Sequence, residues 1–469
     1  MNSIQIFDAI EEIAANSGKN DKQALVAKYG QDAEFKRVLV AAISPLITYG
    51  IAKRPENITY PEGHSLRQKD MQFDAQTWGV IDDLAARRIT GQVAIDTLGI
   101  ELGRLDEKSA TLLWRIIKKD LRAGFGDSTV NKAFKGLIPE FPYMRCSLPK
   151  DAKLQEWPWA DGVFSQEKAD GMFANIDHEQ GGLVRITSRQ GTEFPIEKFP
   201  QIVAEVRARL NDETQYHGEF LVERDGVVLE RAIGNGIMNS IANGGDFAYN
   251  ERPIYKVWDA IELQNVVSKG KQEEAYKNRV ARLINNLKAN PGEVISLIPT
   301  RVVRSLQEGY AHAAELMKQG KEGTIIKHPR AEWKDGTSKE QIKLKLEFDV
   351  DLIVKAIIPG EADTKNEGRA GSLACETSDG LLKVNVTVKN EDMRNRVDES
   401  PNDWLERIIV VKANDIQFPS ESNDYHSLFL PRMVEPNYRL DKTVADDLPR
   451  VLAAKEAAIL GEAILKQAA

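Results

Sequence analysis

The feature that most constrains the fold is a change in the hydrophobic pattern near Leu148. Before this point, apolar residues recur with the 3.6-residue period of helices, which we expect behind Ser3 and over 21–29 and 34–43. After it, short runs rich in β-branched and aromatic residues predict strands: MFANID, LVRITS, GEFLVE, PIYKVWDAIEL, GTIIKHP and IKLKLEFDVDLIV. The pattern predicts an all-α N-terminal part, then an α+β part with helices over 273–287 and 307–317.

The strand pattern continues from Asp349 to about Lys442. Within it, SDG at 378–380 predicts a hairpin turn, and a barrel of five strands fits the length of this stretch. The last stretch predicts an Ala-rich helix that begins near Pro449. We expect this helix to pack on the barrel through its apolar residues Leu452, Ile459 and Ile464.

Composition excludes several classes of protein. The 469 residues predict two to four domains at roughly 100–200 residues each, and a net charge of −8 argues against non-specific coating of nucleic acid. Two cysteines, Cys146 and Cys375, exclude a disulfide scaffold and make a structural zinc site unexpected. No apolar run reaches the roughly 18 residues of a membrane span, and the start lacks the basic residues of a signal peptide. We therefore expect a reducing, cytoplasmic setting without a membrane.

A basic segment in the helical part is a candidate nucleic-acid interface. It predicts one helix capped by Ser109 and ended by Gly124, then a second capped by Asp127 or Ser128. Cations beside a helix N-terminus suit a phosphate backbone, whereas an ordinary solvated helix face is the alternative. The candidate DNA contacts are Arg115, Lys118, Lys119, Arg122 and Lys132.

The residues that can carry chemistry lie in the α+β part. A lysine, Lys168, opens the run KADG, and a lysine is a nucleophile when burial or neighbouring cations favour its neutral amine. Lys343 and Lys345 lie two apart in a predicted strand, so both face the same side and can clamp a phosphate. Glu219 and Glu322 are separated carboxylates that can hold a divalent cation. Each element is weak alone, but the ordered set is specific.

The order of the short motifs along the chain resembles that of the ATP-dependent DNA ligases, which are covalent nucleotidyltransferases. The resemblance is strongest to the ligases of large tailed bacteriophages. The motifs, in order, are KADG, SRQG, GEF, NGIMN, VWD, KEG, KLK and RLDK. KDLRAG and GLIPE extend the resemblance into the helical part, so that it covers nearly the whole chain. It implies a helical DNA-binding domain over 1–146, an adenylation domain over 147–347, an OB-fold domain over 348–442 and a C-terminal helical tail over 443–469.

The resemblance also implies a reaction. Lys168, with Asp170 beside it, would attack the α-phosphate of ATP and carry AMP; AMP would pass to the 5′-phosphate of a nick in duplex DNA, and the 3′-hydroxyl would displace it. Such sealing serves DNA replication, repair and recombination. The other implied roles are Arg189 on AMP or the nick phosphate, Glu219 on the ribose or metal, Glu322 on the metal, Trp258 near the adenine, Lys343 and Lys345 on the α-phosphate, and Arg439, Asp441 and Lys442 orienting the pyrophosphate.

The implied co-substrate is ATP, the implied metal is Mg²⁺, and the implied partner is nicked double-stranded DNA. A monomer is the default expectation, in the cytoplasm of a bacterium or of a phage-infected host.

Three positions depart from the family pattern. Phe173 replaces the arginine of KxDGxR, His217 replaces an aspartate before Gly-Glu, and Thr337 replaces an arginine before the paired lysines. Loss of one charged contact costs about 1.5–3 kcal/mol, and Arg185 or Lys334 could compensate.

Two other functions stay open at this point. The first is an RNA ligase or a guanylyl-transferring capping enzyme, in which a helical part with KDLRAG is not expected. The second is a nick-binding protein that the three departures have disabled. A ligase that uses a nicotinamide dinucleotide is disfavoured, since its four-cysteine zinc module has no counterpart among two cysteines.

Overall fold

The computed structural model describes residues 1–58, 70–362, 364, 366–419, 423–434 and 437–464, with side chains in the last helix described as far as Ile459. It divides into two compact units. The first comprises Met1–Phe141 with Thr187–Thr192, and the second comprises Pro142–Ile186 with Glu193–Ala469. Within the described ranges, no helix combines the length and the apolar character that crossing a bilayer requires.

The first unit is helical. Its core contains side chains without solvent exposure, such as Ile10, Leu39 and Leu113. The α-helices that the structure describes in it are α1 (Ser3–Ala15), α2 (Lys19–Tyr29), α3 (Ala33–Ile43), α4 (Ala75–Ala85), α5 (Gly91–Arg104), α6 (Glu107–Ile117) and α7 (Asp127–Ala133). The helices expected behind Ser3, over 21–29 and over 34–43 are confirmed.

Three predicted helix ends in this unit are wrong. The residue at the N-cap of α7 is Gly126, so that Asp127 and Ser128, the predicted caps, lie inside the helix. The cap of α6 is Asp106, whose carboxylate accepts from the Ser109 backbone N–H, so that Ser109 lies inside the helix. The helix ends at Ile117 rather than at Gly124, which leaves Arg122 outside it. Arg122 has a φ of +58°, and its N–H donates to the Asp120 side chain at 2.8 Å. Arg115, Lys118 and Arg122 therefore do not share one helical face.

The second unit is built on three larger sheets. Its strands before residue 346 are β1 (Met144–Ser147), β2 (Val163–Glu167), β3 (Met172–His178), β4 (Val184–Ser188), β5 (Thr214–Arg224), β6 (Val227–Val228), β7 (Glu251–Glu262), β8 (Lys271–Gln272), β9 (Ile295–Leu297), β10 (Thr300–Val303), β11 (Gly323–Lys327), β12 (Trp333–Lys334) and β13 (Gly336–Lys345). The helices among them are α8 (Pro200–Arg209), α9 (Arg231–Ala242), α10 (Tyr276–Ala289) and α11 (Leu306–Lys318).

Two of these sheets carry the predicted functional residues. The first has the order β1-β13-β11-β2-β10, with β1 parallel to β13 and the other pairs antiparallel. The second has the order β4-β3-β5-β7-β9, with β6 added to β5. The predicted strands of the α+β part and the two predicted helices are confirmed, whereas α8 and α9 were not expected.

The third sheet contains the strand-rich stretch after residue 347. Its five antiparallel strands have the order β16-β15-β14-β17-β20. The elements of this stretch are β14 (Phe348–Pro359), β15 (Ala370–Glu376), β16 (Lys383–Thr387), α12 (Glu391–Glu399), β17 (Ile408–Ala413), β18 (Asp415–Gln417), β19 (Ser427–Phe429), β20 (Arg432–Met433) and α13 (Leu448–Ile464). The hairpin at 378–380 joins β15 to β16 as predicted, whereas α12 was not expected.

The C-terminal helix α13 continues a hydrophobic core that the first and third sheets share. Val451 has no exposed surface, and Leu448 and Ile459 are each 8% exposed. Their cluster also includes Tyr310 of α11 and Leu352 of β14. α13 thus packs on two elements, where the sequence led us to expect packing on the barrel alone; Ile464, the third predicted contact, lies outside the described side chains.

Candidate active site

Neighbouring strands align the three predicted lysines on one face of the first sheet. β11 pairs with β13 so that Gly323 lies opposite Lys345 and Ile325 lies opposite Lys343. The backbone N–H of Lys168, just after β2, donates to the Gly323 carbonyl at 2.9 Å. Because side chains alternate along a strand, Lys343 and Lys345 project from the same face, as the sequence predicted.

Lys168 is paired with a predicted metal carboxylate. Its amine donates to Glu322 Oε2, and the two side chains are 27% and 24% exposed. A lysine that is accessible but held in place by a carboxylate is suited to attack a substrate that enters from the open side.

Glu219 is the second carboxylate of the site, on β5 of the second sheet. Its Oε1 accepts from the Gly171 backbone N–H at 3.2 Å. Burial raises the pKa of Glu219 to about 7, and the charges of Lys168 and Arg231 oppose this rise. Gly171 has no room for a side chain, because an added Cβ would lie 2.2 Å from the Phe220 carbonyl oxygen. The glycine of KADG therefore allows the nucleophile segment to approach β5.

Two side chains of α9 hold the KADG segment. Arg231 Nη1 donates to Asp170 Oδ1 at 2.9 Å, and Asn235 Nδ2 donates to the Gly171 carbonyl at 3.2 Å. Residues four apart share a helix face, so both contacts come from one side of α9. Partial burial and the charge of Glu322 raise the pKa of Asp170, and Arg231 opposes this effect. Neither residue was assigned a role from the sequence, although Asn235 begins the run NGIMN, because their partners lie 61 and 64 positions away in the chain.

A buried cation, also missed, lies on the same face as Lys343. In the sheet, Lys327 of β11 lies opposite Gln341 of β13 and Phe164 of β2. Lys327 is 3% exposed, and its amine has no hydrogen-bond partner among the residues that the structure describes. Burial lowers the pKa of Lys327 to about 8, and its amine lies 4.6 Å from the Tyr276 ring centroid. Strand alternation from Gly323 through Ile325 to Lys327 could have revealed it.

The charges of Lys327, Lys343 and Lys168 all reach the thiol of Cys146, where they oppose the effect of burial, which raises the pKa of that thiol. Two further cations, Lys327 and Lys343, thus act on the same thiol as Lys168.

Two of the departures lie together in an aromatic cluster. Phe173 contacts Tyr143 at a ring-centroid distance of 4.9 Å, Trp258 at 5.8 Å and His217 at 6.4 Å. The His217 Nε2 lies 2.8 Å from Gln215 Oε1, and burial lowers the pKa of His217 to about 4, so that the ring is neutral at pH 7. Phe173 and His217 thus belong to one aromatic cluster that includes Trp258.

The third departure has an arginine next to it. Arg145 of β1 pairs with Thr337 of β13, and its Nε donates to the Thr337 hydroxyl at 3.4 Å. Arg185, proposed from the sequence as a compensating cation, is instead engaged by Asp177 at 3.1 Å and by Glu179 at 3.4 Å. Lys334, the other proposed cation, is exposed in β12.

Arg189 is exposed in a tight turn closed by Gly191, whose φ is +81°. The Ser188 backbone N–H donates to the Thr192 carbonyl at 2.8 Å across this turn. Residues 187–192 belong to the helical unit, whereas Lys168 belongs to the second unit. The role of Arg189 towards AMP or the nick phosphate therefore stays a prediction.

The charged residues of the RLDK run form ion pairs with one another and with Asp351 of β14. Arg439 Nη1 donates to Asp351 Oδ2 at 2.7 Å, and Lys442 Nζ donates to the same oxygen at 2.6 Å. Asp441 accepts from Arg439 at 2.5 Å. Their role towards pyrophosphate stays a prediction, and it requires exchange of these contacts.

The predicted DNA contacts of the helical unit differ in accessibility. Arg115 is 8% exposed, with its guanidinium paired to Glu11, and Lys119 donates to the Ser44 carbonyl at 2.6 Å. Burial lowers the pKa of Lys119 to about 8. Lys118 is exposed, and its amine donates to the Ala52 carbonyl at 3.1 Å. Arg122 is half-buried, and Lys132 is exposed. Arg115 and Lys119 thus hold the unit together, and a DNA contact by any of the five stays a prediction.

Comparison with known proteins agrees with this arrangement. A family model described as "ATP dependent DNA ligase domain" matches residues 153–345, the stretch that contains Lys168, Glu219, Glu322 and both paired lysines. The DNA ligase of Enterobacteria phage T4 is 29% identical over 490 residues, covering 94% of this chain and 97% of the relative. Residues 153–345 thus match the ATP-dependent DNA ligase domain, and the chain resembles a phage DNA ligase over nearly its whole length. The DNA ligase of Enterobacteria phage T6 matches with the same identity and coverage.

Solved structures support the fold. The structure titled "Pmar-Lig_Pre." has a TM-score of 0.71 at 19% identity and covers 93% of this chain and 99% of its own. The structure titled "Pmar-Lig_PreS3" has a TM-score of 0.68 at 20% identity and covers 92% and 99%. The fold of this chain thus matches that of two solved structures over more than nine-tenths of its length.

Proposed function

We propose that the chain seals nicks in duplex DNA that carry a 5′-phosphate and a 3′-hydroxyl, with Lys168 as the residue that carries AMP. The observation that supports this best is the pairing of the Lys168 amine with Glu322, in line with Lys345 and next to Glu219. A nucleophilic amine, cations on its own sheet face and two carboxylates are the groups that transfer of a nucleotidyl group from ATP requires.

In this proposal, Lys168 leaves Glu322 and its neutral amine attacks the α-phosphorus of ATP, forming a phosphoamide bond as the bond to pyrophosphate breaks. Lys343 and Lys345 face the reacting phosphate and offset the charge that develops on its oxygens. Burial lowers the pKa of Lys345, while Glu347 at 3.4 Å favours its charged form. AMP then moves to the 5′-phosphate of the nick, and the 3′-hydroxyl displaces it to close the backbone.

The carboxylates fit the binding of Mg²⁺ in their chemistry. Glu219 and Glu322 offer the oxygen ligands that Mg²⁺ prefers, and a site of one or two carboxylates completed by substrate phosphate is typical of this metal. Among the described residues, no group of three His, Cys, Asp or Glu side chains forms a cage for a metal ion. When bound, Mg²⁺ would withdraw charge from the phosphate oxygens, and Glu219 and Glu322 would hold it there.

The domain roles follow the same proposal. The helical unit would bind the duplex, residues 147–347 would form the adenylation domain, residues 348–442 the OB-fold domain and residues 443–469 a tail. The exposed Lys118 and Lys132 and the half-buried Arg122 would contact phosphates. Trp258 would lie against the adenine, since Phe173 fixes its ring. We propose a monomer acting on nicked DNA.

The test is incubation with α-labelled ATP and Mg²⁺, followed by denaturing electrophoresis, for the unaltered chain and for Lys168→Ala. We expect a labelled band that is lost in the variant and is discharged by nicked duplex DNA. A matched control is Lys153→Ala, since Lys153 is exposed and pairs only locally, with Glu156 at 3.0 Å.

The other outcomes decide between the remaining functions. Label from GTP alone, or discharge by nicked RNA alone, would contradict the proposal in favour of an RNA ligase or a capping enzyme. Absence of label at any nucleotide concentration, with salt-sensitive binding to nicked DNA retained, would mean that the three departures have disabled the site.

A further inference from the structure

The nucleotide site contains a guanidinium that the motifs of the family do not predict. Position 173, where the family pattern has arginine, lies opposite Glu219 in the pairing of β3 with β5. Phe173 fills it and packs on Tyr143 and Trp258. A guanidinium nevertheless enters the site from another direction, because Arg231 at the start of α9 donates to Asp170.

The contacts of Arg231 join it to the nucleophile segment. Its Nη1 lies 2.9 Å from Asp170 Oδ1, two residues beyond Lys168, and the two side chains are 48% and 44% exposed. Its charge opposes the rise that burial causes in the pKa of Asp170 and of Glu219. Arg231 therefore pairs with Asp170 and acts electrostatically on Glu219, while its side chain stays open to solvent.

The packing of α9 against the rest of the second unit fixes the position of Arg231. The helix buries Gly234, Met238 and Ile241, and Gly234 faces Val222 of β5. Asn235, one turn after Arg231, donates to the Gly171 carbonyl at 3.2 Å. The strand that carries Glu219 thus also supports the helix that carries Arg231.

The charge of the site explains why such a cation is needed. Asp170, Glu219 and Glu322 bring three carboxylates close to the Lys168 amine, and a nucleoside triphosphate adds further negative charge. We propose that Arg231 supplies to this site the cation that the family pattern places at position 173, and that it positions Asp170 beside Lys168 for the attack on ATP. This inference rests on the function proposed above.

The proposal predicts a selective defect. A triphosphate carries more negative charge than the AMP group on DNA, so loss of Arg231 should affect formation of lysyl-AMP more than sealing of a nick that is already adenylylated. Since a charged hydrogen bond is lost, Arg231→Ala should reduce the rate of lysyl-AMP formation at subsaturating ATP by roughly ten- to hundredfold. It should also raise the ATP concentration that gives half the maximal rate.

The experiment measures two rates in the full chain: lysyl-AMP formation against ATP concentration, and sealing of a 5′-adenylylated nick without ATP. Arg231→Lys keeps the charge and should recover at least a third of the lost rate. Asn235→Ala removes the other contact of α9 with the same segment and should slow the first rate by less than threefold. Arg224→Ala, at the end of β5, removes an exposed guanidinium that pairs with Glu251 of β7, and should leave both rates unchanged.

A rate of lysyl-AMP formation in Arg231→Ala that is within threefold of the rate of the unaltered chain would overturn the proposal. Equal losses in both rates, or equal defects in Arg231→Ala and Asn235→Ala, would mean that the contact only docks the helix. If the unaltered chain forms no lysyl-AMP at all, the proposed function fails, which is a separate result.

Discussion

The amine of Lys168 and the carboxylate of Glu322 form an ion pair between residues 154 positions apart in the chain. β11 produces this pair, because Glu322 directly precedes Gly323, whose carbonyl accepts from the Lys168 backbone N–H at 2.9 Å. The proposed nucleophile and a proposed metal carboxylate are thus in contact before any substrate binds. Binding of a cation by Glu322 and release of the amine of Lys168 are consequently expected to occur together.

This coupling predicts the effect of Glu322→Gln. The amide removes the negative charge that would bind Mg²⁺, so we expect lysyl-AMP formation to fall about ten- to hundredfold at a fixed Mg²⁺ concentration, with recovery only at higher Mg²⁺. A titration of the rate with Mg²⁺ measures this. The control is Glu315→Gln, which alters an exposed carboxylate that pairs with Arg301. An unchanged Mg²⁺ dependence in Glu322→Gln would contradict the assigned role.

Replacement by alanine is expected to have opposite effects at two glycines near the site, Gly171 and Gly236. A Cβ on Gly171 would lie 2.2 Å from the Phe220 carbonyl oxygen and 2.6 Å from a Leu221 methyl group, so Gly171→Ala must displace the KADG segment. We expect a lower melting temperature and at least about a tenfold slower formation of lysyl-AMP. Gly236, inside α9, has nothing within 4 Å of its added Cβ. Gly236→Ala should stabilise the chain by about 0.5–1 kcal/mol through helix propensity.

Thermal unfolding and the labelling assay check both substitutions. The prediction fails if Gly171→Ala retains the melting temperature and rate of the unaltered chain.

Most of the strands and the position of the lysine face could be predicted from the sequence. Alternation in a strand is a local property, so Lys343 and Lys345 were placed on one face before the sheet was known. The helix caps were harder, because Asp106 and Ser109 are both good caps and the choice depends on where the chain turns in three dimensions.

The contacts made by the departures could not be predicted. The sequence shows that Phe173 and His217 replace charged residues, but it cannot show that their rings meet, since β3 and β5 form the contact. Arg231 is invisible for the same reason: its partner Asp170 lies 61 residues away in the chain. Residues that act through tertiary contact carry no signal in local spacing.

Lys327 predicts a pH-dependent stability. Burial lowers its pKa from 10.5 to about 8, so between these values the unfolded chain binds the proton more tightly. Stability therefore rises with pH in that interval, and below about pH 8 the folded chain bears the full cost of a buried cation. Lys327→Met should raise the free energy of unfolding by about 3 kcal/mol near pH 7 and by less than about 1 kcal/mol near pH 10.

Denaturant unfolding at the two pH values measures this difference. Lys321→Met is the control, because Lys321 is 48% exposed and pairs with Glu167. An equal gain at pH 7 and pH 10 would mean that packing, and not the buried charge, accounts for the effect.

The last helix predicts a structural role for the C-terminus. Val451 has no exposed surface in the core that α13 shares with α11 and β14, whereas Ala453, two residues later, is exposed. Val451→Asp buries an unpaired carboxylate, which should lower the free energy of unfolding by at least about 3 kcal/mol. Ala453→Asp places the same charge in water and should change the free energy of unfolding by less than about 0.5 kcal/mol.

Removal of residues 449–469 deletes Val451, so we expect the truncated chain to melt at a lower temperature and to seal nicks more slowly above that temperature. If Val451→Asp and Ala453→Asp have the same melting temperature, α13 is not part of the core, and a truncation that still impairs sealing would then point to a partner bound by this helix.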